Sequence, residues 1–175
     1  MLFLTSNEGK FREVESIVDA DLKRKSIELE EIQAIEVEDV IEHKLEEAYD
    51  RLKEPVIVED TGLFFEDWGR LPGALTKFFM KALGNEKLCS MLGENRKAAA
   101  ETYVGYKDGG VEKIFKGVIK GKIADRPRGE GFGWDPIFQP EGYGKTFGEM
   151  SQEEKNQISM RKKAFENLDE WLQTK

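Results

Sequence analysis

The chain has 175 residues, 39% of them hydrophobic, and carries 27 Lys and Arg against 35 Asp and Glu, a formal charge of -8. That length buries a sizeable core and fits one domain, residues 1–175, with two lobes. The acidic balance disfavours nonspecific binding along nucleic acid, yet leaves room for local Lys and Arg clusters that take a small phosphate ligand together with a divalent cation. A single cysteine, Cys89, excludes a disulfide scaffold and reads as a buried small hydrophobe. No apolar run approaches the roughly 20 residues that span a bilayer. Met1-Leu2-Phe3-Leu4 is too short for a targeting segment, so the expectation is no membrane and a cytoplasmic location.

Met1 to Leu4 reads as a first buried strand, followed by the polar turn Thr5-Ser6-Asn7 and a helix whose apolar positions are Phe11, Val14, Ile17 and Val18. Leu22 to Leu29 returns as a strand, and Val37, Val40, Ile41, Leu45 and Ala48 mark one face of the next helix. After Pro55, Val56-Ile57-Val58 form a central strand that ends at Glu59 and Asp60. Leu75 to Leu83 give another amphipathic helix with Gly84 as its stop. Thr102, Val104 and Tyr106 alternate before Lys107-Asp108-Gly109-Gly110, a hairpin signal, and Val111 to Phe115 resume beyond it, with Val118 to Ile123 as a further strand. Ser151 and Glu154 form a capping box ahead of one long terminal helix with an Ile158, Phe165, Leu168 and Leu172 stripe. The fold class is α/β, with α+β as its neighbour.

Three constellations carry chemistry. Thr5, Ser6, Asn7, Gly9 and Lys10 place hydroxyl, amide, flexible backbone and ammonium groups at a helix start, which suits phosphate or else simply caps a loop. Neither GxxxxGK[ST] nor GxGxxG occurs at a strand-to-helix junction. Glu59 and Asp60 at a strand end either present oxygens to a hard cation such as Mg2+ or cap the sheet with charge, and Glu31 either joins them or is solvated. Phe132 and Trp134 around Gly133 either stack on a nucleobase, with Asp135 accepting from its nitrogens, or anchor a lobe interface. Lys155 and Ser159, at i,i+4, and Arg161 supply a further wall.

These residues together resemble the inosine triphosphate pyrophosphatase (HAM1-like) family across almost the whole chain. The resemblance rests on Thr5-Ser6-Asn7-Glu8-Gly9-Lys10, Glu59-Asp60-Thr61-Gly62-Leu63, Leu71-Pro72-Gly73, Gly131-Phe132-Gly133-Trp134-Asp135-Pro136-Ile137-Phe138 and Gly142-Tyr143-Gly144-Lys145-Thr146. It implies an elongated mixed central sheet flanked by helices, two lobes with a substrate cleft between them, and a homodimer. It implies Mg2+-dependent hydrolysis of ITP, dITP or XTP to a nucleoside monophosphate and pyrophosphate. By that resemblance Asn7, Lys10 and Lys44 face the triphosphate, Glu31, Glu59 and Asp60 hold the metal, and Asp60 activates water. Phe132, Trp134, Asp135, Lys155, Ser159 and Arg161 then receive the purine. Met160 departs from the pattern, standing where the family usually has histidine, so relaxed purine selection is the alternative reading. A noncatalytic nucleotide-binding protein is the other, and Glu59-Asp60 argue against it.

Overall fold

The computed structural model describes residues 1–175, and their strands form a single mixed sheet in the order β2-β1-β3-β5-β6-β7, with β4 alongside β3. β1 (Leu2–Leu4) runs parallel to β2 (Lys23–Lys25) on one side and β3 (Val56–Phe65) on the other. From β3 onward every pairing is antiparallel, through β5 (Lys97–Asp108), β6 (Val111–Ile123) and β7 (Phe138–Pro140), and the short β4 (Pro72–Gly73) also runs against β3. The α/β expectation of a mixed sheet with flanking helices holds. No helix is long and apolar enough to cross a membrane.

Strand alternation sorts the helices onto two faces, because successive side chains of β3 point to opposite sides. On one face Ile57 and Val104 meet Phe3, Val14 and the Ala164, Phe165 and Leu168 stripe of α5 (Met160–Leu172), with α1 (Glu8–Glu15) beside it. The same face continues through Leu63, Phe65, Ala100 and Ile119 to Leu88 and Cys89 of α3 (Thr76–Met91), so Cys89 is a buried core residue. On the other face Val56, Val58 and Tyr103 meet Val37, Ile41, Leu45 and Ala48 of α2 (Val37–Leu52), the stripe expected from the sequence.

Several boundaries move. The central strand does not stop at Glu59 and Asp60: it continues to Phe65 because β5 supplies hydrogen-bond partners along its whole length, Glu59 facing Val104 and Asp60 facing Tyr103. Val118 to Ile123 is the second half of β6 rather than a new strand, and β2 is confined to Lys23–Lys25. Gly84, at φ 73° and ψ 165°, ends the first helical stretch of α3 as expected, and a second stretch restarts directly after it at an angle. The single terminal helix is two: α4 (Gln152–Ile158), opened by the expected Ser151–Glu154 capping box, and α5. Ser159 separates them with an extended backbone, and its Oγ accepts from Lys162 N at 3.1 Å, a cap that offsets the lost helical bonds.

Candidate active site

The site is built where the edge of β3 opens. β1 pairs with β3 only at Val56 and Ile57, and β4 pairs only at Leu63 and Phe64, so Val58 to Gly62 have no neighbouring strand on that side. Glu59 and Asp60 lie in this interval. The expectation of one shared acidic cluster is corrected by strand periodicity: the two carboxylates leave the strand on opposite faces, Glu59 toward α1 and α5, Asp60 toward α2.

On the first face Glu59 is 2% exposed at its side chain and is fully engaged. Lys10 Nζ donates to its Oε2 at 3.0 Å, while Arg161 Nη2 and Thr61 Oγ1 donate to its Oε1 at 3.2 and 2.9 Å. Burial alone would push its carboxyl up, but the Arg161 and Lys10 charges outweigh burial and hold it at about 2. Arg161 Nη1 also donates to Glu13 Oε2 at 3.0 Å, and despite burial these two carboxylates raise the guanidinium's already high pKa. Arg161 is delivered by a close approach of α5 to the sheet. A Cβ on Gly117 of β6 would stand 1.9 Å from Met160 O, so any side chain there would lift the start of α5.

On the second face Lys44 Nζ sits between two acids, donating to Asp60 Oδ2 at 2.7 Å and Glu31 Oε1 at 3.1 Å. Burial disfavours the ammonium, yet Asp60 and Glu31 win and raise its pKa; burial likewise disfavours charge on Glu31, and Lys44 lowers it. Asp60 Oδ1 accepts from Thr61 N at 2.8 Å. Glu31 lies outside regular structure, and α2 positions its segment: Glu47 Oε2 accepts from Glu30 N, and Arg51 Nη1 donates to Glu28 O. Ala74 N closes the segment's far end by donating to Ile35 O at 2.8 Å.

The polar turn is locally satisfied. Asn7 caps α1 by accepting from Lys10 N at 3.0 Å, and Thr5 Oγ1 accepts from Asn7 N at 3.1 Å, while Ser6 is exposed. The aromatic loop divides its residues between two duties. Phe132 is 79% exposed, its N–H donating to Asp135 Oδ2 at 3.2 Å, and Lys155 Nζ donates to the same oxygen at 2.6 Å. The Trp134 ring packs at 5.6 Å from Phe138 and 6.1 Å from Phe147, so it anchors the loop on the core instead of presenting a second stacking face. Ser159 is buried as a helix cap, and the helix break removes the i,i+4 relation that paired it with Lys155. Met160 is 2% exposed inside the cluster of Leu63, Ile119 and Phe138.

The fold therefore gathers Lys10, Glu59 and Arg161; Lys44, Asp60 and Glu31; and Phe132, Asp135 and Lys155. Glu13, Thr61 and Thr102, whose hydroxyl lies 2.7 Å from that of Thr61, were not among the expected residues. Thr61 shares the parity of Glu59 and Glu13 follows Lys10 by three on α1, signals that periodicity carried. A cavity of about 700 Å3 lies elsewhere, lined by Phe64, Arg70, Lys97, Lys120 and Tyr143 and by none of these site residues. No group of three or more His, Cys, Asp and Glu is placed to hold a metal by itself.

Residues 1–171 match the Ham1 family. The chain is 41% identical over 178 residues to the dITP/XTP pyrophosphatase of Methanopyrus kandleri, covering 98% of this chain and 95% of that protein. It is 39% identical over 184 residues to the inosine triphosphate pyrophosphatase of Kluyveromyces lactis, with 98% and 95% covered. The solved Ham1 protein of Staphylococcus aureus superposes with a TM-score of 0.86 at 29% identity, over 99% of this chain and 98% of its own. The chain belongs to the Ham1 family.

Proposed function

We propose that this chain is a nucleoside-triphosphate pyrophosphatase that cleaves the bond between the α and β phosphates of ITP, dITP and XTP, with Mg2+, releasing a nucleoside monophosphate and pyrophosphate. One observation carries the reading: two lysine-carboxylate clusters, Lys10–Glu59–Arg161 and Lys44–Asp60–Glu31, flank the same open edge of β3 from its two faces. A triphosphate lying in that opening meets both ammonium groups, so carboxylates on opposite faces serve one ligand. The names of the curated relatives support the same chemistry.

Lys10 and Lys44 are point charges already oriented before substrate enters, and the phosphate oxygens compete with Glu59 and Asp60 for them. Lys44 leaving Asp60 Oδ2 frees a carboxylate oxygen to accept a proton from water and aim it in line at the α phosphorus. Glu31 and Asp60 fit Mg2+, since two carboxylate oxygens completed by substrate phosphates suit that ion and Lys44 Nζ already stands between them as a cation. Bound there, Mg2+ would neutralise developing phosphate charge and orient the phosphates. Glu59 we assign to holding Lys10 and Arg161, not to metal, because its oxygens are enclosed by their donors. Thr5 and Asn7 shape the phosphate turn and Ser6 offers a free hydroxyl. Phe132 stacks on the purine, Asp135 and Lys155 meet its edge, and Trp134, Ser159 and Met160 support that wall from within.

The assigned setting is a single two-lobed domain, homodimeric and cytoplasmic, without nucleic-acid or membrane partners; a monomeric mass by light scattering would remove the dimer. Product chromatography after incubation with ITP, dITP, XTP and Mg2+ tests the reaction. Monophosphate and pyrophosphate are expected, and diphosphate with inorganic phosphate, or no turnover, would overturn it.

A further inference from the structure

The exposed Phe132 ring stands on a loop whose own backbone is permissive. Gly131 and Gly133 flank it at φ 144° and 66°, both in the region that side-chain-bearing residues rarely occupy. With 79% of Phe132 exposed, packing does not fix the ring; its position follows the loop backbone. Two hydrogen bonds there stay within the turn, Phe132 N to Asp135 Oδ2 and Asp135 N to Phe132 O, each 3.2 Å. A third comes from a separate element: Asn85 Nδ2 donates to Gly133 O at 2.9 Å.

Asn85 follows the Gly84 kink directly, so the second half of α3 restarts with this amide turned toward the loop. Its Oδ1 is buried with no partner. Exchanging the amide's O and N would set two acceptors against each other, so the Gly133 carbonyl alone fixes the orientation. An apolar side chain would avoid the unpaired acceptor, which points to a need for the donor. We propose that Asn85 is a positioning residue for the substrate's base: through Gly133 it sets where Phe132 presents its ring. This rests on reading Phe132 as the purine platform.

The test is Asn85→Ala in the full chain, with Asn85→Asp, which keeps the shape without the donor, as a second variant. KM for ITP is expected to rise roughly three- to tenfold, the effect of one neutral hydrogen bond, with kcat held within about twofold. Binding of inorganic tripolyphosphate, which has no base, is expected to be unchanged. Amide exchange of residues 131–134 without ligand is expected to accelerate, and in a Phe132→Ala background Asn85→Ala should add no further rise in KM. A full additional rise in that background, equal weakening of tripolyphosphate, or unchanged KM despite faster exchange would overturn the proposal. Absence of ITP turnover and binding in the unmodified protein would instead bring down the functional reading, a result separable because the exchange comparison uses no nucleotide.

Discussion

At the open edge of β3 every reactive charge is matched before substrate arrives, with Glu59 held by two cations and a hydroxyl and Lys44 held by two acids. At the loop between β6 and β7 the ring assigned to the base stands almost bare. The difference follows from solvation. A charge withdrawn from water needs a partner at once, whereas an apolar ring tolerates exposure at modest cost and stays free to receive a flat ligand. The end proposed for phosphate is thus preset by its ion pairs, and the end proposed for the base depends on how its loop is held.

The largest expected effect breaks the phosphate end at Asp60. Asp60→Asn keeps the size but removes carboxylate basicity, and single-turnover hydrolysis should fall about 10²- to 10⁴-fold, while equilibrium binding of ITP largely survives. Near-normal single-turnover chemistry would remove Asp60 from the catalytic role.

Glu59→Gln separates holding from catalysis. Neutralising a carboxylate that two buried or half-buried cations share should cost about 3–5 kcal/mol of folding stability, measured by urea unfolding. The carboxyl is held at about 2 against an ordinary 4.5, so its contribution is fully present above pH 4.5 and is lost as pH falls toward 2. The parent protein should therefore lose stability across that window, and the variant should lose less. Parallel profiles for the two proteins would refute the ion-pair assignment.

The smallest effect sharpens the base end. Phe132→Ala should weaken purine nucleotides roughly 5- to 150-fold, the range for one stacked base, without shifting Tm, because the ring contributes little to the core. Tripolyphosphate affinity provides the contrast, and an equal loss there would mean that the loop supports the phosphate end as well.

Much of the layout was legible in the residues themselves. The Val37 to Ala48 stripe, the Asp108-Gly109-Gly110 turn and the Ser151–Glu154 box depend on neighbours within a few positions, and each appears as expected. The resemblance named Lys10 and Lys44 for phosphate and Glu31 and Asp60 for metal, and folding brings each of the four beside the open edge of β3. What failed were inferences about where an element ends and which way a side chain faces. Glu59 and Asp60 looked like a strand end because charge follows three apolar residues, but β5, some forty residues later, keeps them in the ladder.

The sequence by itself determined which groups are proposed for phosphate, cation and base, and the local periods that form the helices and strands, because those depend on residue chemistry and short-range geometry. Only the tertiary structure decided that Glu59 and Asp60 leave β3 on opposite faces, that Met160 is buried in the core with Trp134 packed against it, and that Asn85 reaches Gly133. Those relations join residues tens of positions apart through strand pairing and helix docking, and no local pattern encodes the distance between them.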